Sequence, residues 1–375
     1  MGRVVRGKAH SVRWKSGKFT AETSISPLDG VKNQFVVKIG NVEVADFPLL
    51  LAPMEDVSDP PFRAVCKAQG ADLLYTEFIS SEGLIRDAAK SLQKLDIFEY
   101  ERPIGVQIFG EDLDTMGEAA AVVERVQPDL LDINYGCPVH KVVCKGSGAA
   151  ILRDPDKMQR LTRAIVERTS LPVTVKTRLG WDEHTINIVD VALRLQDAGI
   201  KALSIHARTR KQMYKGEADW SWIRKVKDHP DMVIPIFGNG DIDSPQKALD
   251  YRHRYGVDGL MIGRATIGNP WIFAQIKHYF ATGELLAEPG LAERAQVCRQ
   301  HLLHSVEWKG ERTGLVEMRR HYANYFKGVA HFKPLRTLLV TSNELAPILE
   351  VLAYIEGLSG SEIPEGEAER LLAVA

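Results

Sequence analysis

The sequence predicts an α/β fold, a TIM (β/α)8 barrel followed by a C-terminal all-helical domain. Eight short apolar runs recur between residues 48 and 285 of the 375-residue chain, and most lead through a loop into an amphipathic stretch. Polar, cationic and glycine residues gather where these runs end, and beyond residue 290 the periodicity is helical alone. Eight strand-then-helix units make a TIM barrel, whose active site lies on the loops after the strands.

The predicted strands are rich in Leu and β-branched residues without clean alternation, as is typical of strands buried on both faces. They are Leu49–Leu51, Leu73–Phe78, Ile104–Phe109, Leu130–Asn134, Val173–Thr177, Ala202–His206, Val233–Phe237 and Gly259–Ile262. Several helices are predicted to begin with a polar cap followed by proline, namely at Asp59, Asp154, Ser244 and Asn269. A doubly wound sheet is the alternative, but the turn after its first strand usually carries glycine, and Met54–Ser58 has none.

Other segments flank the barrel. Residues 1–34 begin with six cations and no acid in twenty positions, which predicts a basic, disordered tail or a nucleic-acid-binding arm. Residues 35–47 predict a hairpin, and residues 358–375 a C-terminal tail. Residues 290–357 predict the helical domain. From residue 291 to 340 it has nine Lys and Arg against four acids, which indicates a basic face including Arg319 and Arg320.

Composition narrows the class of protein. Hydrophobic residues make up 45% and charged residues 26%, which excludes a wholly disordered or collagen-like chain. The 48 Lys and Arg nearly balance the 49 Asp and Glu, so the net charge of the whole chain does not indicate a nucleic-acid partner. The first long apolar run is far short of the roughly 20 residues of a membrane helix, and the four cysteines are too scattered for a disulfide framework. We expect a cytoplasmic protein without a membrane contact.

The loops after the last two strands predict a phosphate site. Gly238–Asp241 can bring bare backbone close to a ligand, and Gly263-Arg264 adds a cation with a fork of donors. TIM barrels often bind phosphate at these two loops. At the ends of earlier strands, Lys176 is either a Schiff-base lysine, a charged contact for an electron-rich ring such as a flavin, or a solvated strand end. His206 is either a core histidine or an anion contact.

Cys137 follows the fourth strand within a Gly-Cys-Pro turn, which is a poor place for an inert core thiol. With His140 and Cys144 it offers three zinc-type ligands, but no fourth is nearby and we expect no metal. Two chemical roles remain open. Cys137 is a nucleophile if His140 serves as its base, or a proton donor at its ordinary pKa of about 8.5.

Taken together, these residues resemble the tRNA-dihydrouridine synthase family and its bacterial B-type branch. The resemblance covers about residues 38–345 and depends on seven motifs in order along the chain. They are Ala52–Met54 with Asp59–Arg63, Gln107–Gly110, Asp132–Pro138, Val175–Trp181, Ile205–Arg210, Gly238–Ile242 and Met261–Ala265. In departure from the family, Glu55-Asp56 replaces the Ala-Gly that commonly follows Pro-Met, and Cys144 stands where relatives often have a basic residue.

The resemblance implies an FMN-binding barrel that reduces uridine in tRNA to 5,6-dihydrouridine. A hydride from reduced FMN goes to C6 and a proton from Cys137 to C5, and NADPH reduces the FMN again. The implied substrate contacts are Asn134 and Arg178. The implied FMN contacts are Pro53, Met54, Glu55, Gln107, Lys176, His206, Asn239, Gly240, Asp241, Gly263 and Arg264. The helical domain is implied to bind tRNA, and nothing indicates a protein partner, so we expect a monomer.

Two other functions stay open from the residues alone. Lys176 could form a Schiff base with a phosphorylated substrate, which predicts a colourless lyase. The chain could instead bind RNA without catalysis, which predicts tRNA affinity without flavin. Neither the target uridine nor the preference for NADPH over NADH follows from the sequence.

Overall fold

The computed structural model describes residues 36–360 and 362–366; the predicted basic tail lies outside them, as do Ser361 and residues 367–375. The strands are β1 (Lys38–Ile39), β2 (Val42–Glu43), β3 (Leu49–Leu51), β4 (Leu74–Tyr75), β5 (Ile79–Ser80), β6 (Ile104–Phe109), β7 (Leu130–Tyr135), β8 (Val173–Arg178), β9 (Ala202–His206), β10 (Ile236–Asn239) and β11 (Gly259–Ile262). The barrel-side helices are α1 (Pro60–Ala68), α2 (Ser81–Ile85), α3 (Ala89–Gln93), α4 (Leu113–Glu124), α5 (His140–Val143), α6 (Pro155–Val166), α7 (Ile188–Asp197), α8 (Ser221–Lys227), α9 (Pro245–Tyr255) and α10 (Ile272–Thr282). Four more helices follow, α11 (Leu291–Lys309), α12 (Glu311–Tyr325), α13 (Lys333–Thr341) and α14 (Leu345–Glu356).

Eight parallel strands form the barrel. Their order is β3-β11-β10-β9-β8-β7-β6-β4, and a parallel bridge between Leu50 and Leu73 joins the two ends of this order. The predicted fold class, a TIM barrel with a helical C-terminal region, is therefore confirmed. No helix within residues 36–360 is long and apolar enough to cross a membrane.

Two predicted strands differ from the observed ones by more than one residue at an end. The predicted run Leu73–Phe78 is interrupted between β4 and β5. The Thr76 N–H still donates to the Gly105 carbonyl of β6 at 3.0 Å, whereas the Glu77 side chain accepts a hydrogen bond from the Asp56 amide at 2.5 Å. The seventh strand begins at Ile236 rather than at Val233, whose surface is 81% exposed. Pro235 lies between them, and proline has no N–H to donate to a strand ladder.

Three of the four predicted helix caps are confirmed. Asp59, Asp154 and Ser244 each accept a hydrogen bond from the backbone N–H three residues later. The predicted cap at Asn269 is wrong, because α10 begins at Ile272 after a turn held by backbone bonds alone. The intervening Trp271 turns toward the helical region and donates its indole N–H to Glu293 at 2.8 Å.

The hairpin β1–β2 closes one end of the barrel. Ile39 is fully buried in a cluster with Leu50, Tyr75 and Phe237, which fill the barrel interior. The turn at Gly40 lies beside Pro172, just before β8 begins. Since this hairpin covers the N-terminal ends of the strands, the opposite end is left for a site.

Of the four C-terminal helices, α11 and α12 pack on α1 of the barrel. Phe62 lies against the rings of His301 and His321, at centroid distances of 5.6 and 5.4 Å. Lys309 forms ion pairs with Asp59, the cap of α1, and with Glu317. The helical region is therefore anchored to the barrel by an apolar and a charged contact together.

The two buried histidines predict acid sensitivity. Burial lowers the pKa of His321 from 6.5 to about 4, and it lowers the pKa of His301 well below the ordinary value. As pH falls from 6.5 to about 4, the unfolded chain takes up protons that the native chain refuses, so the free energy of unfolding must fall. His321 alone accounts for about 3 kcal/mol of this loss.

We therefore expect His321→Gln to flatten the dependence of unfolding free energy on pH, measured by urea denaturation between pH 7 and 4. The exposed His184, replaced in the same way, serves as the control. A pH profile that is identical in wild type and His321→Gln contradicts the prediction.

Candidate active site

The C-terminal ends of the strands open into one cavity of about 680 Å³. This volume is within the range of about 300–1,000 Å³ that is typical of small-molecule sites. Its lining contains every predicted site residue except Gln107: Pro53, Met54, Glu55, Asn134, Cys137, Lys176, Arg178, His206, Asn239, Gly240, Asp241, Gly263 and Arg264. The structure thus brings together residues from six strands and the loops that follow them.

Cys137 is held in a tight turn after β7. The Asn134 side-chain oxygen accepts hydrogen bonds from the backbone N–H groups of Gly136 and Cys137, at 2.9 and 2.8 Å. The Cys137 carbonyl accepts a third bond from the N–H of Ala149 at 3.0 Å. Gly148 has a positive φ of 57°, and an added Cβ there would lie 2.9 Å from this carbonyl. The backbone around the thiol is therefore fixed on both sides.

The Cys137 side chain is only 6% exposed. Burial raises the pKa of its thiol above the ordinary value, and the Glu55 carboxylate also raises it. The thiol is accordingly protonated at neutral pH, the state that a proton donor needs. His140 is exposed at the start of α5 and does not line the cavity, so it is not positioned as a base for this thiol. No cluster of metal-ligating side chains occurs among the residues that the structure describes.

Lys176 lies beside Asn134 in the register of β7 and β8 and is partly buried. Burial lowers the pKa of its ammonium group to about 8, and the nearby Arg178 lowers it as well. No described residue accepts a hydrogen bond from this ammonium group. Lys176 therefore presents a positive charge and its three donors to the cavity at neutral pH.

Arg178 is buried to 2% exposure and supports the cavity wall. Its Nε donates to the Gly136 carbonyl at 2.8 Å, and its Nη1 donates to the carbonyls of Thr209 and Met213. Within residues 36–360 no acceptor is found for its Nη2. Arg178 thus joins the Cys137 turn to the loop after β9 and retains donors for a ligand.

The predicted phosphate corner contains a carboxylate that sequence reasoning did not explain. Asp241 accepts two hydrogen bonds from Arg208, at 2.8 and 2.6 Å, and one from Arg264 at 3.2 Å. Burial raises the pKa of Asp241, but the Arg208 bonds outweigh it, and the net pKa is lowered. Asp241 therefore holds the two arginines in place, and Arg264, 53% exposed, remains the accessible cation.

Bare backbone is available beside Arg264. Gly240 has a φ of 123°, and a Cβ there would lie 3.0 Å from Ala218 and 3.2 Å from the His206 ring. Asn239 donates its side-chain amide to the Met261 carbonyl at 2.7 Å, and so joins β10 to β11 at the cavity wall. This corner offers backbone donors and the accessible Arg264 cation to an anion.

A model of the dihydrouridine synthase family matches residues 50–354. The chain belongs to this family. It is 35% identical to a "Probable tRNA-dihydrouridine synthase" of Rickettsia conorii over 85% of this chain and 96% of the relative. It is 40% identical to "tRNA-dihydrouridine synthase B" of Pseudomonas aeruginosa over 77% of this chain and 86% of the relative.

Among solved structures, the barrel resembles histamine dehydrogenase from Rhizobium sp. 4-9, with a TM-score of 0.51 and 10% sequence identity. The alignment covers 72% of this chain and 50% of that protein. At this level of identity the likeness shows the fold alone. The predicted membership in the dihydrouridine synthase family and its B-type branch is confirmed by the sequence relatives.

Gln107 does not line the cavity. It is fully buried in β6, where its side chain binds Asp132 at 2.6 Å and Asn134 at 2.9 Å. The family resemblance implies that it contacts FMN, whereas the structure places it beside Asn134, which lines the site. Its nearness to the site is thus observed, and its contact with a ligand stays a prediction.

The Glu55-Asp56 departure has a defined geometry. Glu55 lines the cavity and pairs with Lys141 of α5 at 2.8 Å, whereas Asp56 is exposed with a φ of 58°. The Met54 backbone N–H donates a hydrogen bond to the Ser58 hydroxyl at 2.8 Å. The Glu55 carboxylate therefore joins the loop after β3 to the segment that follows Cys137.

Sequence reasoning missed Tyr214 in the irregular loop after β9. Its ring is 50% exposed, lines the cavity, and lies 4.6 Å from the Arg264 guanidinium carbon and 5.6 Å from that of Arg178. Such cation–π contacts align an aromatic ring with neighbouring cations. The signal in the sequence was an aromatic residue among several cations, between Arg208 and Lys215.

Tyr214 also lies near His206, at a ring distance of 6.1 Å. Burial lowers the pKa of His206 well below its ordinary value, and the charges of Arg178 and Lys176 lower it further. The imidazole is therefore neutral in this electropositive cavity. A neutral imidazole still offers one N–H donor to a ligand in the cavity.

Proposed function

We propose that this chain reduces uridine in tRNA to 5,6-dihydrouridine, with FMN as its cofactor and NADPH as the reductant. Family membership supports the reaction class. The observation that carries the proposal is a protonated, buried Cys137 thiol that lines the same cavity as the Lys176 ammonium group. We infer that the activity belongs to the cytoplasm, where the free thiols of the four cysteines stay reduced.

The cavity suits FMN because its donor set matches a phosphorylated, electron-rich ring. Lys176 supplies its ammonium group for the polar edge of the ring, and the backbone of Pro53, Met54 and Glu55 borders the same space. Arg264 and the backbone of Gly240 and Gly263 suit the phosphate. When bound, FMN supplies the hydride that uracil receives at C6.

The protein's own contribution is the proton. Hydride addition at C6 leaves the electron pair of the former C5=C6 bond at C5, conjugated to the C4 carbonyl. Cys137 donates its thiol proton to C5, which forms the C5–H bond and leaves a thiolate that solvent reprotonates. Arg178 and Asn134 orient the base, whose entry requires it to leave its stack in the RNA.

A visible absorption spectrum and a product assay test this proposal together. We expect the purified protein to be yellow, with about one FMN per chain, and to raise the dihydrouridine content of tRNA with NADPH. A colourless protein that ignores added FMN contradicts the proposal. In that case, borohydride trapping at Lys176 indicates a Schiff-base lyase, and tRNA affinity alone indicates a binding protein.

We expect Arg264→Ala to weaken FMN retention about tenfold, because an accessible charged hydrogen bond to phosphate is removed. FMN affinity is measured by fluorescence titration of the protein after the flavin is removed. Lys211→Ala, which removes an exposed cation paired with Asp182 outside the cavity, is the matched control. Equal losses in the two variants contradict a phosphate contact at Arg264.

A further inference from the structure

Beneath the cavity, four side chains form an unbroken line of hydrogen bonds, which we call the relay. Thr174 donates to one carboxylate oxygen of Asp132 at 2.5 Å, and Gln107 donates to the other at 2.6 Å. The Gln107 oxygen accepts from Asn134 at 2.9 Å. The Asn134 oxygen then accepts from the N–H groups of Gly136 and Cys137. The relay runs across the paired strands β6, β7 and β8.

The chemistry of the two ends determines which way each amide in the relay faces. A carboxylate only accepts, so Gln107 must turn its NH2 group toward Asp132 and its oxygen toward Asn134. Asn134 must then turn its NH2 group toward Gln107, which leaves its oxygen for the turn. At the far end the two backbone N–H groups only donate, and this is the orientation that they need. A reversed amide at either position would place donor against donor.

The buried polar side chains of the relay lower the stability of the fold compared with apolar side chains, so their presence calls for an explanation. Asp132 is 1% exposed and Gln107 is fully buried. Asp132 follows Leu130 by two residues and so shares its strand face, which lines the barrel interior that other strands fill with apolar side chains such as Leu50, Phe237 and Met261. No ion pair of Asp132 is found among the described residues, and burial raises the pKa of its carboxyl to about 6. A charge in this position stabilises the fold less than an apolar side chain of the same volume would.

We propose that Asp132 and Gln107 are positioning residues for Cys137: Asp132 orients the amides of Gln107 and Asn134, and Asn134 thereby holds the turn that carries the thiol. The inference builds on the proposed function, which makes Cys137 the proton donor to uracil C5. It assigns Asn134 a role toward the protein besides the contact with substrate. Proton transfer from a fixed donor depends on distance, so a loosened turn lowers catalysis without removing the thiol.

Exchanging the two ends of the relay tests this directionality. In Asn134→Asp, two carboxylates face the single NH2 group of Gln107, and one of them is repelled by the Gln107 oxygen. Adding Asp132→Asn to that variant restores a consistent line in the reverse direction. In this double variant the carboxylate at position 134 accepts hydrogen bonds from the Gly136 and Cys137 N–H groups. It also accepts one from the NH2 group of Gln107, whose amide has reversed. The Gln107 oxygen then accepts a hydrogen bond from the amide at position 132. The double variant has the same amino-acid composition as the wild type, because it only exchanges Asn and Asp.

Hydrogen exchange at the Gly136 and Cys137 amides is the first measurement, because it reports the turn itself. We expect Asn134→Asp to accelerate exchange about tenfold and the double variant to return it to within about threefold of wild type. In Asp132→Asn alone, the amide at position 132 can either donate to Gln107 or accept from it, so both orientations of Gln107 are allowed. We expect this variant to accelerate exchange less than Asn134→Asp does. Tyr135→Phe, which removes a buried 3.0 Å hydrogen bond to Thr162 from the same strand, is the control outside the relay.

Gln107→Met separates the relay from simple repulsion between two carboxylates. If repulsion alone explains Asn134→Asp, the double variant stays rescued when Gln107 is replaced. If the relay explains it, Gln107→Met accelerates exchange in the wild-type and the double-variant background alike. Rescue without Gln107, or no rescue in the double variant, overturns the proposal.

The second measurement is the single-turnover rate of dihydrouridine formation with FMN already reduced. We expect this rate to fall in Asn134→Asp and to recover in part in the double variant, while FMN affinity changes little. Failure of the proposed function has a different signature. If Cys137→Ala keeps full activity while the exchange pattern is as expected, the relay holds the turn but Cys137 is not the proton donor.

Discussion

Replacing Cys137 with alanine is expected to lower dihydrouridine formation by about 10²–10⁴-fold, the usual contribution of a positioned general acid. The variant should still bind FMN and oxidise NADPH with an artificial electron acceptor, since the other cavity-lining residues are unchanged. The fold should tolerate the change, because Cys137 belongs only to a small cluster with Phe78 and Val142. Dihydrouridine content of tRNA after incubation with NADPH is the measurement.

Cys144→Ala is the matched control. Cys144 is exposed at the end of α5 and lies outside the cavity lining, so this variant should keep nearly full activity. Full activity in Cys137→Ala would falsify the proton-donor role. An equal loss in both variants would indicate a shared structural or metal function, although Cys137 is buried in the cavity wall and Cys144 is exposed outside it.

The barrel was predictable because its signals are local. Each strand is a short run of buried residues, and each of the caps Asp59, Asp154 and Ser244 bonds to an N–H three residues away. The positions of Cys137 and Lys176 followed from the same logic, since residues at the C-terminal ends of parallel strands meet at one end of a barrel. Local pattern and global topology agree at these positions.

The functions of Asp241 and Gln107 were not predictable in the same way. Asp241 belongs to a glycine-rich loop whose sequence predicts a phosphate site. Its carboxylate, however, accepts hydrogen bonds from Arg208, 33 residues away along the chain. Gln107 meets Asp132 and Asn134 only because three strands pair in one register. Such partnerships depend on tertiary geometry, and no spacing within a single motif encodes them.

The basic face of the helical region shows the same limit. The sequence has nine cations there, yet Arg299 pairs with Glu356 and Lys309 pairs with Asp59. Arg319 donates to the Ser342 carbonyl, and Arg320 binds the Asp56 carbonyl of the barrel. Reversing Arg319 and Arg320, the contacts expected from sequence, would therefore disturb the packing of the protein as well as its charge.

Four cations of this face are exposed and have no acidic partner among the described residues: Arg312, Lys327, Lys333 and Arg336. Lys333 and Arg336 are three residues apart on α13, so they lie on one side of that helix. A pair of accessible cations on one helix face is suited to successive phosphates of an RNA backbone. These two residues are the better test of a tRNA-binding surface.

We expect the double variant Lys333→Glu and Arg336→Glu to weaken tRNA binding by about 10²-fold at low salt, because two attractions to phosphate become repulsions. The slope of log affinity against log salt should fall by about one for each phosphate that the variant no longer binds. FMN content and NADPH oxidation with an artificial acceptor should not change, since neither residue lines the cavity. Filter binding over a series of salt concentrations measures both quantities.

The matched control reverses two other exposed cations, Arg160 on α6 and Lys201, which lies beside the β1–β2 turn at the closed end of the barrel. It changes the net charge of the chain by the same amount. If tRNA responds to net charge alone, both double variants lose affinity equally, and the helical region is not the binding surface. A loss confined to Lys333 and Arg336 places the RNA on α13, on the helical region that Lys309 and Phe62 anchor to the barrel.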